Sequence, residues 1–599
     1  MSFFRNRTDV LLAVLGVIGA LFFIYVYSSV FPSSAIQIRF THDQIANIAE
    51  QSLRAWGYDS NQYNLSTEFQ SRDDLIRFVE KNFDSEKTKQ LLDDEIPAYR
   101  WVATWERPKS SKELSDDEKH KEPAAFPNWF KRVQMFFDQS GREIAFNVEA
   151  EDDSLTPALS QEAAKAIADS VLRSRLGADT TLFKFLRGRQ NTQGNRVDYS
   201  FIFQRKENLA GLPVNLQIDI LGSRLGKFEY QYIVPKEPEA KLEEYIRDIP
   251  LLLLMIGFAA LYIVFLIKKL RADEISFKTA WPITVIATVA FGFFIVNQIK
   301  EGNNLMGIII GTGFSTAFIG LGVLLAIVTA EALSREAWND KLLTFDAIRR
   351  GLARHQLLGQ SLLRGIAIGL ILRGLTAVVI ELAAEVSTLD LVKWSMDISD
   401  INVWSPLLYR LSQVIINGVW YQFGVILFGV SIAARYFSRR YWIAATLAVF
   451  WALTFGIMSD YPTGPYWATL ASGFIVGGVF TATFLLYDFV ACLSAYATFG
   501  ITFHSVRLIF YGHPTLAMSG WVLLGVIVAL GVWGIFSLSK SISKEELSQY
   551  TPAVVKRIIE RERLQRELVI ARQVQLSFLP RANPHIPGLD VASICIPAM

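Results

Sequence analysis

Cysteine is almost missing from this chain: there are two in 599 residues, Cys492 in an apolar run and Cys595 close to the last residue. The polar stretch 31–246 has none, so no disulfide holds it and it must fold on an apolar core of its own. Histidine is scarce too. The six (His42, His120, His355, His504, His513 and His585) are scattered, and neither HExxH nor CxxC occurs, which leaves a zinc site without local sequence support. Charged residues are only 19% of the chain and nearly cancel, at +2 net. That net charge gives no support to a nucleic-acid partner, which wants a clustered basic face. Apolar residues are in excess. They make up 51% of the chain and gather into runs of about 20, the length that crosses a hydrocarbon core.

The first run, Val10 to Val30, follows Arg5 and Arg7. It is long for a signal peptide, and the nearest small-residue cleavage site, Ser33-Ser34-Ala35, is unconvincing. An uncleaved anchor is expected, with a signal peptide as the alternative. Further spans are expected near 249–267, 280–297, 305–332, 358–382, 407–433, 442–458, 466–486, 488–511 and 518–538, about ten in all. Alternate loops carry Lys268, Lys269 and Arg271; Lys341, Arg349, Arg350 and Arg354; and Arg435, Arg439 and Arg440. The others carry Asp390, Asp397, Asp400 and Asp460. Basic loops stay inside, so both termini are expected in the cytoplasm of a multi-pass inner-membrane protein, with 31–246 outside. The tight break at Tyr487-Asp488 decides the parity of the count.

Within 31–246, THDQIANIAEQSLR (41–54) aligns without a gap on SQEAAKAIADSVLR (160–173). Thr41 and Ser160 are N-cap types, and apolar residues recur at helical spacing. VQMFFDQSGREIAF (133–146) matches VNLQIDILGSRLGKF (214–228) from Val133/Val214 through Gly141/Gly222, with strand-like alternation and a glycine turn. YRWVATW (99–105) and DYSFIF (198–203) alternate as well. Two copies of one helix-plus-antiparallel-sheet unit are expected, about 41–150 and 157–235, the first carrying the charged, loop-like insertion 108–123. The pattern resembles PepSY-like domains found outside bacterial membranes. That resemblance implies modulation of a peptidase or sensing of the envelope; a plain spacer is the alternative.

Several polar groups fall inside or at the ends of spans: Glu331, Arg335 and Glu336, then Arg364, Arg373 and Glu381, then Arg410, Asn417, Asp488 and His504. Ionisable groups in lipid are costly and face protein or water. TAEALSREAW (329–338) resembles the glutamate–arginine motif of CAAX-protease-like membrane proteins. Ala330 stands where that family has a second Glu, and His504 is the one intramembrane histidine, so the usual hydrolytic site is incomplete. A degenerate membrane peptidase or regulator, helix-end ion pairs, and a transporter path through glycine-rich spans such as GFIVGGVF (473–480) all remain open.

After the last span, Pro552 can start a helix, and Leu564, Leu568, Ala571, Val574 and Phe578 form one seam, as in a short coiled coil. The helix breaks at Pro580; Pro584 and Pro587 make a loop, and LDVASICI (589–596) alternates like a strand. Ala571 to Pro580, then Pro584, Ile586-Pro587-Gly588-Leu589-Asp590, a strand and Pro597-Ala598 closely resemble the opening of the PPM-type serine/threonine phosphatase domain of the SpoIIE/RsbU kind. The resemblance covers residues 560–599. It implies a pair of Mg2+ or Mn2+ ions activating water against a phosphoserine or phosphothreonine protein, in that family often an anti-sigma-factor antagonist. Its acidic metal ligands would follow Pro-Ala, beyond Met599, so no catalytic, cofactor-binding or metal-ligating residue is assigned in this chain.

The expected fold is therefore a polytopic α-helical membrane protein of about ten spans. It has an extracytoplasmic α+β domain of two related units, and a cytoplasmic linker helix enters a truncated α/β phosphatase domain. The expected divisions are 1–30 (start and anchor), 31–246 (the extracytoplasmic domain), 247–540 (the helical bundle), 541–580 (the linker) and 581–599 (the phosphatase opening). The expected partners are the phosphoprotein substrate, the lipid bilayer and a second copy of the chain through the linker helix, with no nucleic acid.

Overall fold

The computed structural model describes residues 6–588 apart from 57, 59–62, 108–129, 152–158, 176–179, 195, 236–240, 300–304, 339, 387–397, 459–464, 543–545, 548, 550–552 and 578–587. The charged insertion 108–123, the loop residues Asp390, Asp397 and Asp460, and the phosphatase-like opening 581–599 apart from Gly588 lie outside the described residues.

Helix α1 (Arg7–Val30) is an almost wholly apolar rod. Then α2 (His42–Ala55) begins with a capping box: Thr41 Oγ1 accepts from Gln44 N–H at 3.3 Å, and Gln44 Oε1 accepts from Thr41 N–H at 2.9 Å. Strand β1 (Asn64–Ser71), helices α3 (Asp73–Asn82) and α4 (Ser85–Gln90), and strands β2 (Tyr99–Glu106), β3 (Phe130–Phe137) and β4 (Glu143–Ala150) complete one half. The second half repeats the plan with α5 (Gln161–Ser170), capped by Ser160, and strands β5 (Phe183–Gln193), β6 (Arg196–Arg205), β7 (Val214–Leu221) and β8 (Arg224–Tyr232).

These strands make one antiparallel sheet of eight, in the order β1-β2-β3-β4-β8-β7-β6-β5. The repeat seen in the sequence explains that order. Each half is a four-stranded meander, and the last strands of the two halves pair at the centre through Ala145–Glu229, Phe146–Phe228 and Asn147–Lys227. The turns joining β3 to β4 and β7 to β8 need left-handed backbone at Gly141 and Gly222 (φ +79° and +57°). Alternation buries one face through Trp101, Ala103 and Trp105 on β2, Val133, Met135 and Phe137 on β3, and Val214, Leu216, Ile218 and Ile220 on β7, while Val102, Phe136 and Ala145 make a small cluster on the other face. Trp56 stacks on both Phe146 and Phe228 and fastens the seam between the halves.

The bundle follows as α6 (Lys241–Arg271), α7 (Phe277–Val296), α8 (Leu305–Ala337), the short α9 (Leu343–Arg349), α10 (Gln356–Val386), the single turn α11 (Ser399–Asn402), α12 (Pro406–Tyr436), α13 (Arg440–Met458), α14 (Tyr466–Leu486), α15 (Phe489–Phe510) and α16 (Pro514–Ser537). The last described helix is α17 (Ala553–Ser577). Among the described residues nine helices are long and apolar enough to cross a membrane: α1, α6, α7, α8, α10, α12, α14, α15 and α16. By length and composition this is a multi-pass membrane protein. Helix α13 occupies the place of the expected span 442–458; the side chains of residues 455–458 lie outside the described set. At Tyr487-Asp488 two helices meet, and Asp488 caps α15 through Ala491 N–H at 2.8 Å.

Helix α10 is the hub, packed on α1, α15 and α16. Small residues let the backbones touch: a Cβ added to Gly369 would stand 2.5 Å from the Ala495 carbonyl oxygen, and one on Gly374 2.5 Å from the Gly19 Cα. Between apolar helices in lipid, such close contact supplies the attraction that water-driven burial cannot.

Candidate functional site

Sheet and bundle meet at one small turn. Helix α11 holds Asp400, Ile401 and Asn402 in succession, and each faces a different neighbour. Asn402 pairs with the free edge of β1: its Oδ1 accepts from Phe69 N–H at 2.7 Å and its Nδ2 donates to the Phe69 carbonyl at 2.8 Å. One side-chain amide thereby supplies the donor and acceptor that a neighbouring strand would offer. The Ile401 carbonyl lies 2.8 Å from His42 Nε2, while His42 Nδ1 lies 2.9 Å from the Thr67 hydroxyl and the ring meets Trp101 edge-on. Nearby, Ile38 N–H donates to the Tyr511 carbonyl at 2.9 Å. Ile398, Ile401, Val414, Leu508 and Tyr511 share one apolar core with Phe69 and Trp101 of the sheet.

Asp400 turns the other way, into the bundle. It is fully buried. Arg410 Nε, from the first turns of α12, and Arg507 Nη2, from the last turn of α15 at 2.6 Å, both donate to its carboxylate. Arg410 also donates to Gln413 Oε1 at 2.5 Å. Three buried ionic groups thus tie α12 to α15 immediately beneath the turn that grips β1. Such a cluster is costly to bury and costlier to break, since loss of one partner strands an uncompensated charge.

A second ionic network lies at the opposite end of the bundle. Glu331, near the end of α8, receives Arg349, Arg335 Nη2 at 3.4 Å and the Thr279 hydroxyl at 3.3 Å. Arg335 forks onto Asp346 with two bonds of 2.7 Å, and Glu336 receives Lys269 at 2.8 Å and Arg435 at 2.5 Å. These groups form helix-end ion pairs, and both carboxylates at the centre carry arginines. His504 does not join them. Helix α15 starts beside Lys341, where Phe489 N–H donates to the Lys341 carbonyl, and His504 lies roughly 22 Å further along at 1.5 Å per residue, against Phe503. Among the described residues no group of three or more His, Cys, Asp or Glu is placed to hold a metal ion.

The other intramembrane charges pin helices together. Arg364 forks onto Asp9 at 2.8 and 2.9 Å, joining α10 to α1. Arg373 donates to the Phe499 carbonyl, with its guanidinium 3.6 Å from the Phe499 ring centre and 5.2 Å from those of Phe23 and Phe503. At the α17 end of the bundle the loop before α10 clasps the end of α16. Gln356 N–H donates to the Lys540 carbonyl at 2.7 Å, Arg354 to Ser539 Oγ at 2.9 Å, and Trp533 Nε1 to the Ala353 carbonyl at 2.9 Å. Buried His355 caps α10, its Nδ1 accepting from Leu358 N–H at 3.2 Å. Burial, and then the neighbouring Lys540, push its pKa down to about 4.

Of the residues singled out in the sequence, Arg410 enters the joint and Glu331, Arg335 and Glu336 come together elsewhere. Arg507, His42 and Asn402 had not been singled out, and Asp400 only as a loop charge. The available signal was parity: Asp400, the start of 407–433 and the end of 488–511 all fall at the same end of an alternating bundle. Comparison with family models, with curated proteins and with solved structures gives no match to this chain.

Proposed function

We propose that the chain is the sensing and transmitting part of a membrane-bound signalling protein. An extracytoplasmic sheet domain reports through the bundle to a cytoplasmic helix, which opens a metal-dependent serine/threonine phosphatase. The observation that carries this reading is the α11 joint, where one turn holds the sheet edge with Asn402 and the two helices α12 and α15 with Asp400. Helix α16 begins three residues beyond Tyr511, which accepts from Ile38, and it ends in the clasp that precedes α17. A displacement of the sheet therefore has a stiff route of about 36 Å, at 1.5 Å per residue, to the tail. Leu564, Leu568 and Val574 stand exposed on α17, which supports a paired linker between two copies.

The metal chemistry of this reading rests on the sequence resemblance of 560–599. Glu331 and Asp346 are taken up by arginines, and Asp590 lies outside the described residues. No catalytic step is derived through Mg2+ or Mn2+ here. Phosphoprotein substrates, including anti-sigma-factor antagonists, follow from the sequence resemblance of 560–599 alone.

The test is an assay of the complete reading frame in proteoliposomes on a phosphoserine protein with Mn2+. Activity that shifts severalfold in Asn402→Ala, a change far from any phosphatase segment, supports the reading. Metal-dependent activity indifferent to Asn402→Ala removes the transmission, and no activity at all removes the phosphatase.

A further inference from the structure

The two edges of the sheet differ. Strand β1 is gripped by Asn402, whereas β5, its counterpart in the second half, pairs only with β6 among the described residues. Alternate residues of such an edge turn N–H and C=O groups outward, ready for another strand. At 11 residues β5 is the longest strand in the sheet, and it contains neither proline nor any acidic residue. Phe185 and Leu186 are 40% and 49% exposed, and Lys184, Arg187 and Arg189 are exposed beside them. Lys165 sets a fourth cation 4.4 Å above the Phe185 ring.

Charge chooses among possible occupants. Two copies pairing through β5 would bring this basic strand against itself, and like charges in facing strands repel. The register shift between Phe185 and Arg187 further spoils flat self-association. A strand rich in carboxylates meets neither obstacle.

We propose that β5 is the docking edge for an extended acidic segment of a partner protein, added as one more antiparallel strand. Its carboxylates would face Lys184, Arg187 and Arg189, and its apolar residues would cover Phe185 and Leu186. This surface is independent of whatever follows α17.

The probes are two fluorescent peptides of equal length, one alternating Val and Glu, the other Val and Lys, added to the full chain in nanodiscs. Binding is read by anisotropy, and its place by amide hydrogen exchange over 183–193. The Val-Glu peptide binds, weakens with salt and slows exchange in β5; the Val-Lys peptide does not bind. The K184E/R187E/R189E variant loses about tenfold or more for Val-Glu. It also gains binding to Val-Lys, which shows that the variant is folded. R189E alone gives a partial loss. Equal Val-Glu affinity in the wild-type and triple-variant chains overturns the proposal, as does peptide binding without protection of β5.

Discussion

Asp400 places a single carboxylate between two buried guanidinium groups. Asp400→Asn keeps the shape and removes the negative charge that Arg410 and Arg507 share. The expected cost is about 3–5 kcal/mol, read as a lowered Tm of the chain in detergent. Adding Arg507→Met to that variant should recover part of the loss, because the stranded charge causes it; a double variant worse than the single one would refute this account. His355 gives a pH signature. Its depressed pKa of about 4 means that the unfolded chain, with an ordinary imidazole near 6.5, binds the extra proton first as pH falls. Its contribution is complete above about pH 6.5 and declines as pH drops toward 4, by as much as about 1.4 kcal/mol per pH unit. In His355→Gln, denaturant midpoints should depend less steeply on pH across that window. Neither site was legible as a site. Asp400 and Arg507 stand 107 positions apart, and no local spacing links them; the sequence shows a loop charge and a charge at the end of a span.

Elements were easier to read than their partners. The helices α2 and α5 follow from cap residues and apolar spacing, and β7 from an uninterrupted alternation. Strands β1 and β5 were missed because NLSTEFQS and FKFLRGRQNTQ are rich in polar groups and have few inward apolar positions, as suits the outermost strands. Helix α10 was visible as a span, but its glycines gave no hint of which helices they admit. Those contacts define a prediction. Gly369→Leu would force a side chain against the Ala495 carbonyl and Thr498, 2.5 and 2.8 Å from a bare Cβ, so α10 and α15 must separate. The folded yield in detergent should fall by far more than for Gly257→Ala. Gly257 has nothing within 4 Å of an added Cβ, and alanine there favours the helix by up to about 1 kcal/mol. Equal yields would show that the bundle does not depend on that close approach.

At the scale of the whole chain, transmission needs the sheet and the tail on opposite faces of one membrane, an arrangement the loop charges forecast and the fold alone does not assign. It can be measured with thiols. Cys492 is buried, so in a Cys595→Ser background the native chain should be silent to an impermeant maleimide. Lys184→Cys, on the exposed strand β5, should then label in intact cells once the outer envelope is opened. On the signalling proposal Lys540→Cys, at the clasp, should label only after the membrane is permeabilised. Labelling of both from the same side would require an even number of crossings between them. The nine apolar helices, with α13 as a tenth, place nine crossings between α1 and the tail when α13 spans and eight when it does not. The maleimide result therefore decides whether α13 crosses the membrane. An odd interval from residue 184 to residue 540 separates the two faces, as the signalling proposal demands. An even one puts β5 and α17 in the same compartment, and the α11 joint would then be a structural brace with nothing to transmit.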